Sequence, residues 1–556
     1  MSRILCCAIV ATIAWFSLSP QAQGQGADQR AVAEVADVDL LLREGMAFER
    51  QRDWVHAVQH YERAVRLWPQ EDSLRRRLII SRLHYDVGRR LGDASIRRML
   101  LHPSPAELLE LYTEILARIE MSYVEPVELT EVIRGGTAYL EVALTEPEFV
   151  ALVVPKVAAE RLERFRTSLH RLTLANKIRN RFEARGVVER AVGFAEQEVG
   201  LPRSATIMGF VLGAVALLDP YSAFLSAAEL QDVESQIEGN FVGLGVALQP
   251  HEVPLRILNV IPGGPAAEAG LRKGDRILEI GAVQCAEVGA ARAADLLRGP
   301  EGTSVRLLLQ REGDERSPFE LILTRRRVEV PSVENVSMLD PAAGVAYLKI
   351  SSFQKTTADE LDRALWRLHR QGMQSLIIDL RGNPGGWLDA AVAVADRFLD
   401  QGGIVTTRGK NGLENHNYTA QRGNAWTVPL FLLIDQESAS ASEILAGALR
   451  DNGRALLIGE TSYGKGSVQG LFHTRTLNCG LRLTVSKFYS PSGRAISMQG
   501  VDPNINVPAL PETHLVAKVP VADQAPGNFS GDRVLQVAVH EARTRIAAGT
   551  AAVAGR

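Results

Sequence analysis

The spacing of apolar residues changes twice along the chain, first near Gly239 and again near Gly344. Upstream of Gly239 the apolar residues recur at helical spacing, as in the segment 105–121. From Gly239 onward, short β-like runs bounded by glycine follow one another. From Gly344 onward, strand-like runs alternate with helical ones. A chain of 556 residues with three successive patterns is therefore predicted to fold as several domains, helical first, β-rich next and α/β last.

The helical part is predicted to begin with a tetratricopeptide-like (TPR-like) segment at residues 38–104. Small residues at Gly45, Ala57 and Ala64, followed by Pro69, fit that pattern, whose period is about 34 residues. One repeat is a weak signal, because an isolated repeat cannot bury its own apolar face. Two interpretations of the segment therefore remain, a peptide-binding TPR-like segment and an isolated helical hairpin.

A basic stretch lies within the second helical region, which is predicted as a helical N-terminal domain at residues 105–238. Residues 161–190 contain nine Arg or Lys and three Glu. A solvated helix face explains such a stretch, and contact with an anionic envelope polymer or membrane surface is the alternative. This stretch and the TPR-like segment are where the sequence predicts an adaptor or envelope partner. The net charge of the whole chain is −3, which argues against nucleic acid as a partner.

The first 24 residues have the pattern of a secretory signal peptide. Arg3 precedes an apolar run of 15 residues at 4–18, and small residues follow it. Roughly 20 apolar residues are needed to span a bilayer, so cleavage is favoured and an uncleaved membrane anchor is the alternative. The sequence thus predicts an exported protein of the periplasm or cell envelope.

The β-rich region is predicted at residues 239–331. Its strands are expected at 242–248, 256–261, 276–280, 305–310 and 319–324, with a helix at 290–297. This order makes a small, partly open β-barrel. The turn of Gly243, Leu244, Gly245 and Val246 exposes backbone N–H groups to a carboxylate, and the strand edge accepts an extended peptide.

The α/β region is predicted at residues 332–510, followed at 511–556 by a C-terminal helix and a low-complexity tail from 547. Its strands are expected at 345–350, 375–380, 430–434 and 455–458, with helices at 357–369, 388–399 and 442–450. Two segments each connect the end of a predicted strand to the start of a predicted helix. They are Asp-Leu-Arg-Gly-Asn-Pro-Gly-Gly at 379–386 and Ser-Ala-Ser-Ala-Ser-Glu at 438–443. Because active groups in such sheets lie at the carboxyl ends of strands, both segments are candidate site loops. Plain helix capping is the alternative.

A serine of the second loop needs a base before it can attack a carbonyl group. His473 is the nearest histidine, 33 residues beyond Ser440, and it lies in no motif. Lys465 is the other candidate; it must be buried to be neutral, and a solvated loop lysine is the plain alternative. A nucleotide phosphate loop also contains Gly-Lys but requires Ser or Thr next, where Gly466 stands.

The combination of these segments resembles the carboxyl-terminal processing proteases. Gly-Lys-Gly-Ser-Val-Gln at 464–469 follows the two candidate loops, and the resemblance covers about residues 210–510. Residues 239–331 resemble a PDZ domain in its circularly permuted bacterial form. The resemblance implies a multidomain α+β protein: a helical N-terminal region with a TPR-like hairpin, a PDZ β-barrel, and an α/β serine protease core of the ClpP/crotonase type.

The resemblance also implies a role for each matching residue. Ser440 matches the nucleophile, Lys465 its general base, and Gln469 the residue that positions the lysine. Three residues match the backbone N–H donors of the oxyanion hole: Gly385, Gly386 and Ala441. Asp451 matches an aspartate with a supporting, structural role. This chemistry requires no metal and no organic cofactor.

Together these features predict an exported serine endopeptidase that cleaves proteins near or from their C termini. The turn at 243–246 is expected to bind the carboxylate of a protein or peptide substrate. Arg298 is expected to pass a gating signal to the protease core, unless it is a solvated arginine. The alternative function is a catalytically inactive PDZ/TPR scaffold that binds peptides, and homo-oligomer formation stays open.

Overall fold

The computed structural model describes residues 38–173, 177–249, 252–311, 318–421, 423, 425–508 and 531–554. The predicted signal peptide at 1–24 lies outside these residues. Within the described ranges, every helix is too short or too polar to cross a membrane. The described residues divide into two compact units: 38–231 with Gln469–Val485, and 232–468 with 486–508 and 531–554.

The first unit is helical, as the apolar spacing predicts. Its elements are α1 Val38–Arg50, α2 Trp54–Leu67, α3 Asp72–Leu91, α4 Ala94–Leu101, α5 Pro105–Ser122, α6 Leu129–Ala143, α7 Pro147–Val153, α8 Ala159–Thr173, α9 Arg181–Val199, α10 Arg203–Ala216 and β1 Ala223–Leu225. Helix α5 shows why the sequence starts a helix at a given point. The Ser104 hydroxyl accepts the Glu107 N–H, and the Glu107 carboxylate accepts the Ser104 N–H.

Helices α6 and α10 pack closely because glycines face one another. A Cβ added to Gly213 would lie 2.5 Å from the carbonyl oxygen of Gly135 and 2.5 Å from the Cα of Gly136. No side chain fits in that space, so the two backbones are in contact. Every residue of α10 from Ser204 to Val215 is buried, which makes this helix the centre of the unit.

Helices α1 and α2 pack through the small residues that suggested a TPR-like segment. A Cβ on Gly45 would lie 2.2 Å from the Tyr61 ring. Ala57, Tyr61 and Ala64 are buried in one cluster with Leu74 of α3. Close packing explains the spacing of the small residues, whereas the TPR identity of the segment stays a prediction.

The basic stretch at 161–190 covers most of α8 and the start of α9. Its ion pairs include Arg166–Glu163 at 2.6 Å, Arg185–Glu189 at 2.9 Å and Arg181–Glu120 at 3.0 Å. Glu120 belongs to α5, so folding brings negative charge to the stretch from outside it. The surface therefore carries a smaller positive excess than the sequence suggests, and an anionic partner stays a prediction.

The β-rich region follows helix α11, Ala227–Glu238, whose C-terminal half belongs to the second unit. Its elements are β2 Asn240–Gly243, β3 Val246–Leu248, β4 Leu255–Val260, α12 Pro265–Glu268, β5 Arg276–Ile280, β6 Val283–Gln284, α13 Cys285–Leu297, β7 Ser304–Gln310, β8 Phe319–Thr324 and β9 Arg326–Glu329. Strands β3, β4, β5, β7 and β8 pair in that order, β6 pairs with β5, and β2 pairs with β9. The strand predicted at 242–248 is divided into β2 and β3, because Gly245 turns the chain with a φ of +80°. The barrel stays a prediction.

The α/β region has the predicted alternation of strands and helices. Its elements are β10 Val333–Asp340, β11 Val345–Ile350, α14 Thr357–Arg370, β12 Ser375–Asp379, α15 Leu388–Asp396, β13 Gly403–Gly409, β14 His416–Thr419, β15 Leu430–Ile434, α16 Ala441–Asp451, β16 Ala455–Gly459, β17 Ser467–His473, β18 Gly480–Tyr489, β19 Ile505–Asn506 and α17 Arg533–Ala554. The central sheet has the order β10-β11-β12-β15-β16-β19, and all its pairs are parallel except β10 with β11. Strands β12 and β15 are buried along their whole length, as expected for strands covered on both faces.

Helices cover both faces of this sheet. On one face, α14 and α16 contribute Leu365 and Leu445 to the main apolar cluster. On the other, α17 packs Leu535 and Val539 against Phe431 of β15. Helix α17 continues to Ala554, so the low-complexity tail predicted from residue 547 is helical up to that point. Its many alanines favour the helix.

Strand β18 contributes residues to both units. In the first unit its early residues pair with β1. In the second unit its last residues pair with β13, which pairs with β14. Residues 469–485, which the sequence pattern placed in the protease region, thus belong to the helical unit.

Candidate active site

The two candidate loops begin at the same edge of the central sheet. Strands β12 and β15 are parallel neighbours, and Asp379 at the end of β12 lies opposite Leu433 of β15. The loop at 379–386 continues from β12, and the loop at 438–443 follows β15. The structure therefore brings together the two segments that the sequence placed at strand ends.

Asn383 joins the two loops. It is fully buried, and its backbone oxygen accepts hydrogen bonds from the Ala439 N–H and the Ser442 hydroxyl, both at 3.0 Å. Ser438 donates its hydroxyl to a carbonyl of the first loop at 2.8 Å. The hydroxyls of both serines that flank Ser440 thus hold the two loops together.

Ser440 begins helix α16 in a backbone conformation that favours glycine. Its φ and ψ are +55° and −112°, a region that costs of the order of 1–3 kcal/mol for a residue with a side chain. Gly385 lies against it: a Cβ on Gly385 would lie 2.8 Å from the Cβ of Ser440. The strained turn places the serine beside the glycine loop, as the nucleophile elbow of α/β-hydrolases places its serine.

The three predicted oxyanion donors differ in what their N–H groups do. The Gly385 N–H donates to Oδ1 of Asn383 at 2.8 Å, so it is already engaged in this conformation. The backbone on either side of Gly386 pairs with Phe353, which turns the Gly386 N–H to the opposite side. The Ala441 N–H belongs to the first turn of α16, where N–H groups have no acceptor within the helix. Gly386 and Ala441 are therefore better placed than Gly385 to stabilise an oxyanion.

Lys465 lies in a tightly packed loop between β16 and β17. Only 8% of its surface is exposed. The carbonyls of Gly464 and Gly466 accept the N–H groups of Met498 and Phe488, at 2.8 and 3.0 Å. A Cβ on Gly466 would lie 2.3 Å from a backbone nitrogen. The glycines let neighbouring backbone approach closely, and this packing buries the lysine.

Glu443 connects the loops of Ser440 and Lys465. Its side chain is fully buried, and its Oε2 accepts the backbone N–H of Ser440 at 2.7 Å and that of Lys465 at 2.9 Å. Its Oε1 accepts the Ser462 hydroxyl and the Gly464 N–H, both at 2.6 Å. Because one oxygen binds both N–H groups, the Ser440 and Lys465 nitrogens lie no farther apart than those two bonds allow.

The hydrogen bonds to Glu443 described above come from neutral donors, three backbone N–H groups and one hydroxyl. Burial raises the pKa of Glu443 above its ordinary value, and its hydrogen bonds oppose the shift. Every partner is a donor, so the ionised carboxylate is the form that satisfies all four bonds. Sequence reasoning assigned no role to this residue. Its place three residues after Ser440, where a capping box has its acidic residue, was the available signal.

A second buried carboxylate, Asp379, lies at the start of the glycine loop. It accepts hydrogen bonds from Nη2 of Arg381 at 2.6 Å and from the Tyr347 hydroxyl at 2.9 Å. Burial alone would raise the pKa of Asp379, but the Arg381 guanidinium outweighs burial, and the pKa lies below its ordinary value. Burial and then the Asp379 charge raise the pKa of Tyr347. The pair fixes the point at which the loop leaves the sheet.

Gln469, the predicted positioning residue of the lysine, belongs to the first unit. Its Nε2 donates to Oγ1 of Thr484 at a distance of 3.5 Å. The Thr484 hydroxyl donates in turn to Asp219 at 3.1 Å. Within that unit, Gln469, Thr484 of β18 and Asp219 thus form a series of polar contacts.

Asp451 lies at the far end of helix α16 from Ser440. The helix has 11 residues, which corresponds to a length of about 16 Å. Oδ2 of Asp451 accepts the Ser492 N–H at 3.1 Å. Burial would raise the pKa of Asp451, but hydrogen bonds from Ser490 and Ser492 hold it below its ordinary value. These contacts agree with a structural role and place Asp451 away from the reacting groups.

The turn at 243–246 is closed by backbone hydrogen bonds in the β-rich region. The carbonyls of Leu244 and Gly245 accept the N–H groups of Ala266 and Ile261, both at 2.8 Å. The strand that follows, β3, stands at the end of the strand order β3-β4-β5-β7-β8. An end strand has an edge to which an extended peptide can add.

Arg298, the candidate gating residue, pairs with helix α11. Its Nη1 lies 3.1 Å from Oδ2 of Asp232, and about a quarter of each side chain is exposed, 27% and 25%. The last residue of α11, Glu238, pairs with Lys355. The Lys355 Nζ lies 4.5 Å from the centre of the Trp387 ring. These contacts extend from the β-rich region to the residue that follows the glycine pair.

Two family models and several known proteins match this chain. A model of peptidase family S41 matches residues 344–507, and a model of the PDZ domain matches residues 256–311. A carboxy-terminal-processing protease of Bartonella bacilliformis is 35% identical over 308 residues, which cover 54% of this chain and 70% of that protein. This chain belongs to the carboxyl-terminal processing proteases of peptidase family S41.

Further members agree with this assignment. The carboxy-terminal processing protease CtpA of Bacillus subtilis is 32% identical over 335 residues, 60% of this chain and 69% of that protein. Among solved structures, a photosystem II D1 C-terminal processing protease matches with 27% identity and a TM-score of 0.36, covering 63% of this chain and 94% of that chain. The assignment rests on the sequence relatives and not on that superposition. The protein is thus a serine-type peptidase with a PDZ domain and an S41 core, as the sequence predicts.

Proposed function

We propose that the protein is an exported endopeptidase that cleaves proteins near or from their C termini, with Ser440 as nucleophile and Lys465 as general base. The observation that supports this most is the buried Glu443 carboxylate, which binds the backbone N–H of both residues. A nucleophile and its base must come within hydrogen-bond reach of one another. A shared acceptor limits how far their backbones can separate.

The reaction follows from these positions. The neutral amine of Lys465 takes the proton of the Ser440 hydroxyl as the oxygen attacks the peptide carbonyl. The N–H groups of Gly386 and Ala441 stabilise the resulting oxyanion, and one such donor is worth about 3–4 kcal/mol. The protonated lysine then gives its proton to the leaving amine, and water hydrolyses the acyl-enzyme. Burial of Lys465 supports this role, because a solvated loop lysine, the plain alternative, would be exposed.

The PDZ domain selects the substrate. The C-terminal carboxylate of a protein or peptide binds at the turn 243–246, and the chain before it adds to the edge of β3. Binding is then coupled to the protease core through the Arg298–Asp232 pair and the contact of Glu238 with Lys355. The coupling is supported by continuity of contact, and the element that would move is α11.

Export to the periplasm or cell envelope is part of the proposal. It is supported by the signal-like pattern of residues 1–24, with an uncleaved anchor as the alternative form. An adaptor or envelope partner is proposed for the TPR-like segment at 38–104 and the basic stretch at 161–190.

Hydrolysis of a peptide with an apolar C terminus tests the proposal. Ser440→Ala and Lys465→Ala should each lower kcat/KM at least about 1000-fold, because each removes a group that acts in the transition state. Binding of the same peptide, measured by fluorescence anisotropy, should persist in both variants. Lys156→Ala, which removes an exposed lysine of the helical unit, is the matched control and should leave kcat/KM unchanged.

Two results would count against this mechanism. Retained cleavage in both Ser440→Ala and Lys465→Ala would contradict the assignment of nucleophile and base. Peptide binding without turnover by the unsubstituted protein would favour the alternative, an inactive PDZ/TPR scaffold.

A further inference from the structure

The C-terminal helix α17 reaches the glycine loop through one carboxylate. Asp532, the residue before the helix, accepts hydrogen bonds from Nη1 and Nη2 of Arg381 at 2.9 and 2.8 Å. The same guanidinium donates to Asp379, from Nε to Oδ1 at 3.0 Å and from Nη2 to Oδ2 at 2.6 Å. Arg381 is therefore held between two carboxylates in the paired geometry that its planar guanidinium favours.

The position of Asp532 is set by the helix and not by Arg381 alone. Its Oδ1 also accepts the Leu535 N–H at 3.0 Å, and its backbone oxygen accepts the Gln536 N–H at 2.9 Å. These are the contacts of a helix N-cap. One carboxylate thus caps α17 and pairs with the guanidinium at the same time.

The helix is in turn fixed to the sheet. Leu535 and Ala538 are fully buried against Tyr347 and Phe431 of the central strands. A second tie lies farther along α17, where Arg543 pairs with Asp340 of β10 at 2.6 Å. Asp532 therefore presents its carboxylate from a packed surface, which makes it a firm partner for Arg381.

The backbone of Arg381 leads directly into the loop that faces Ser440. The next N–H, that of Gly382, donates to Oδ1 of Asp435 at 3.0 Å, and the same oxygen accepts the Ser438 N–H at 3.0 Å. Asn383 follows and holds the next part of the loop by the bonds described above. Arg381, Gly382 and Asn383 thus hold the loop one after another, and release of Arg381 would remove the first of these contacts.

We propose that Asp532 is a positioning residue for the peptidase reaction. Through Arg381 it holds the loop whose Gly386 N–H faces the oxyanion, so the C-terminal helix supports catalysis as well as covering the sheet. This inference rests on the proposed roles of Ser440 and Lys465.

Asp532→Asn in the full-length chain tests the inference. Asparagine has nearly the same shape and remains a good N-cap, so the variant removes the charge while keeping the helix start. We expect kcat to fall about tenfold with KM within twofold of the unsubstituted value, because oxyanion stabilisation acts in the transition state. Asp532→Glu, which restores the charge, should recover part of the loss. If Asp532→Asn does not fold, Asp532→Ser, which also caps the helix, is judged by the same criteria.

Asp340→Asn is the matched control, because it breaks the other tie of the same helix. It should leave kcat unchanged while lowering the unfolding free energy in urea to a similar extent as Asp532→Asn. An unchanged kcat in Asp532→Asn, or an equal loss of kcat in Asp340→Asn, would overturn the inference alone. Absence of cleavage by the unsubstituted protein would overturn the proposed function, and the inference with it.

Discussion

Two buried carboxylates of the protease core, Glu443 and Asp379, are held in opposite ways. Glu443 is surrounded by neutral donors, three backbone N–H groups and one hydroxyl. Asp379 faces the guanidinium of Arg381 and the hydroxyl of Tyr347. Burial raises the pKa of Glu443; burial acts on Asp379 in the same direction, but Arg381 outweighs it and lowers that pKa.

The difference shows that one site can use both geometry and charge to fix its loops. Glu443 depends on where its donors lie, since each of its bonds is lost if a loop moves. Asp379 depends on the charge of its partner, the guanidinium of Arg381, which donates paired hydrogen bonds to it. Substitution by the matching amide therefore removes correctly placed acceptors at Glu443 and the charge partner of Arg381 at Asp379.

Glu443→Gln should have the largest effect. The amide keeps the shape but presents an NH2 group to N–H and O–H donors, so at least part of the bonding to Ser440 and Lys465 is lost. We expect kcat for peptide hydrolysis to fall about 1000-fold, because a misplacement of about 1 Å can cost 100-fold and both groups are affected. Glu287→Gln, at an exposed position of the PDZ domain, serves as the control. A kcat within tenfold of the unsubstituted protein would mean that Glu443 is only a helix cap.

Asp379→Asn should lower the stability of the protease core. It leaves the buried side of Arg381 without its charge partner, while Asp532 still holds the other side. We expect the unfolding free energy in urea to fall by about 3 kcal/mol, the lower part of the range for breaking a buried ion pair. The comparison variant is Asp362→Asn, which breaks the more exposed pair with Arg397 at 3.0 Å and should cost at most about 1 kcal/mol. Equal losses would show that burial of the Asp379 pair adds nothing.

The pH dependence of stability should separate the two carboxylates, with a smaller effect than either substitution. A lowered pKa means that Asp379 stabilises the fold above its ordinary pKa, near 4, and that this contribution is lost as pH falls. A raised pKa means that burial opposes the charge of Glu443 more than its hydrogen bonds support that charge, so the stability cost of the charge falls as pH falls toward the raised pKa. In urea titrations at several pH values, the stability difference between the unsubstituted protein and Asp379→Asn should shrink on acidification, whereas the difference from Glu443→Gln should grow. Slopes of the same sign would contradict the opposite pKa shifts.

The sequence predicts the parts of this site that depend on neighbouring residues. The loops at 379–386 and 438–443 follow strands directly, so periodicity and glycines locate them, and the family resemblance supplies Ser440 and Lys465. The bonds of Glu443 to Ser462 and Gly464 join residues some twenty positions apart, and local patterns carry no signal for them.

Contacts between residues still farther apart in the sequence were harder to predict. Asp532 meets Arg381 across 151 positions, and the pairing depends on how α17 packs on the sheet. The Gly385 N–H was expected in the oxyanion hole, yet the Asn383 side chain two residues away takes it. Side-chain competition for a backbone donor of this kind follows from the folded geometry and not from spacing.

Neither compact unit is one continuous stretch of chain. The backbone passes between the residues of one unit and those of the other after positions 231, 468 and 485. A single cut by an added protease near 231 would give two separate polypeptides, and the second of them would still contain residues 469–485 of the first unit. A shortened gene that begins at position 232 would still encode the 17 residues of 469–485, including the part of β18 that pairs with β1, after their neighbours had been removed. No single boundary in the sequence therefore separates the peptidase core from the helical unit.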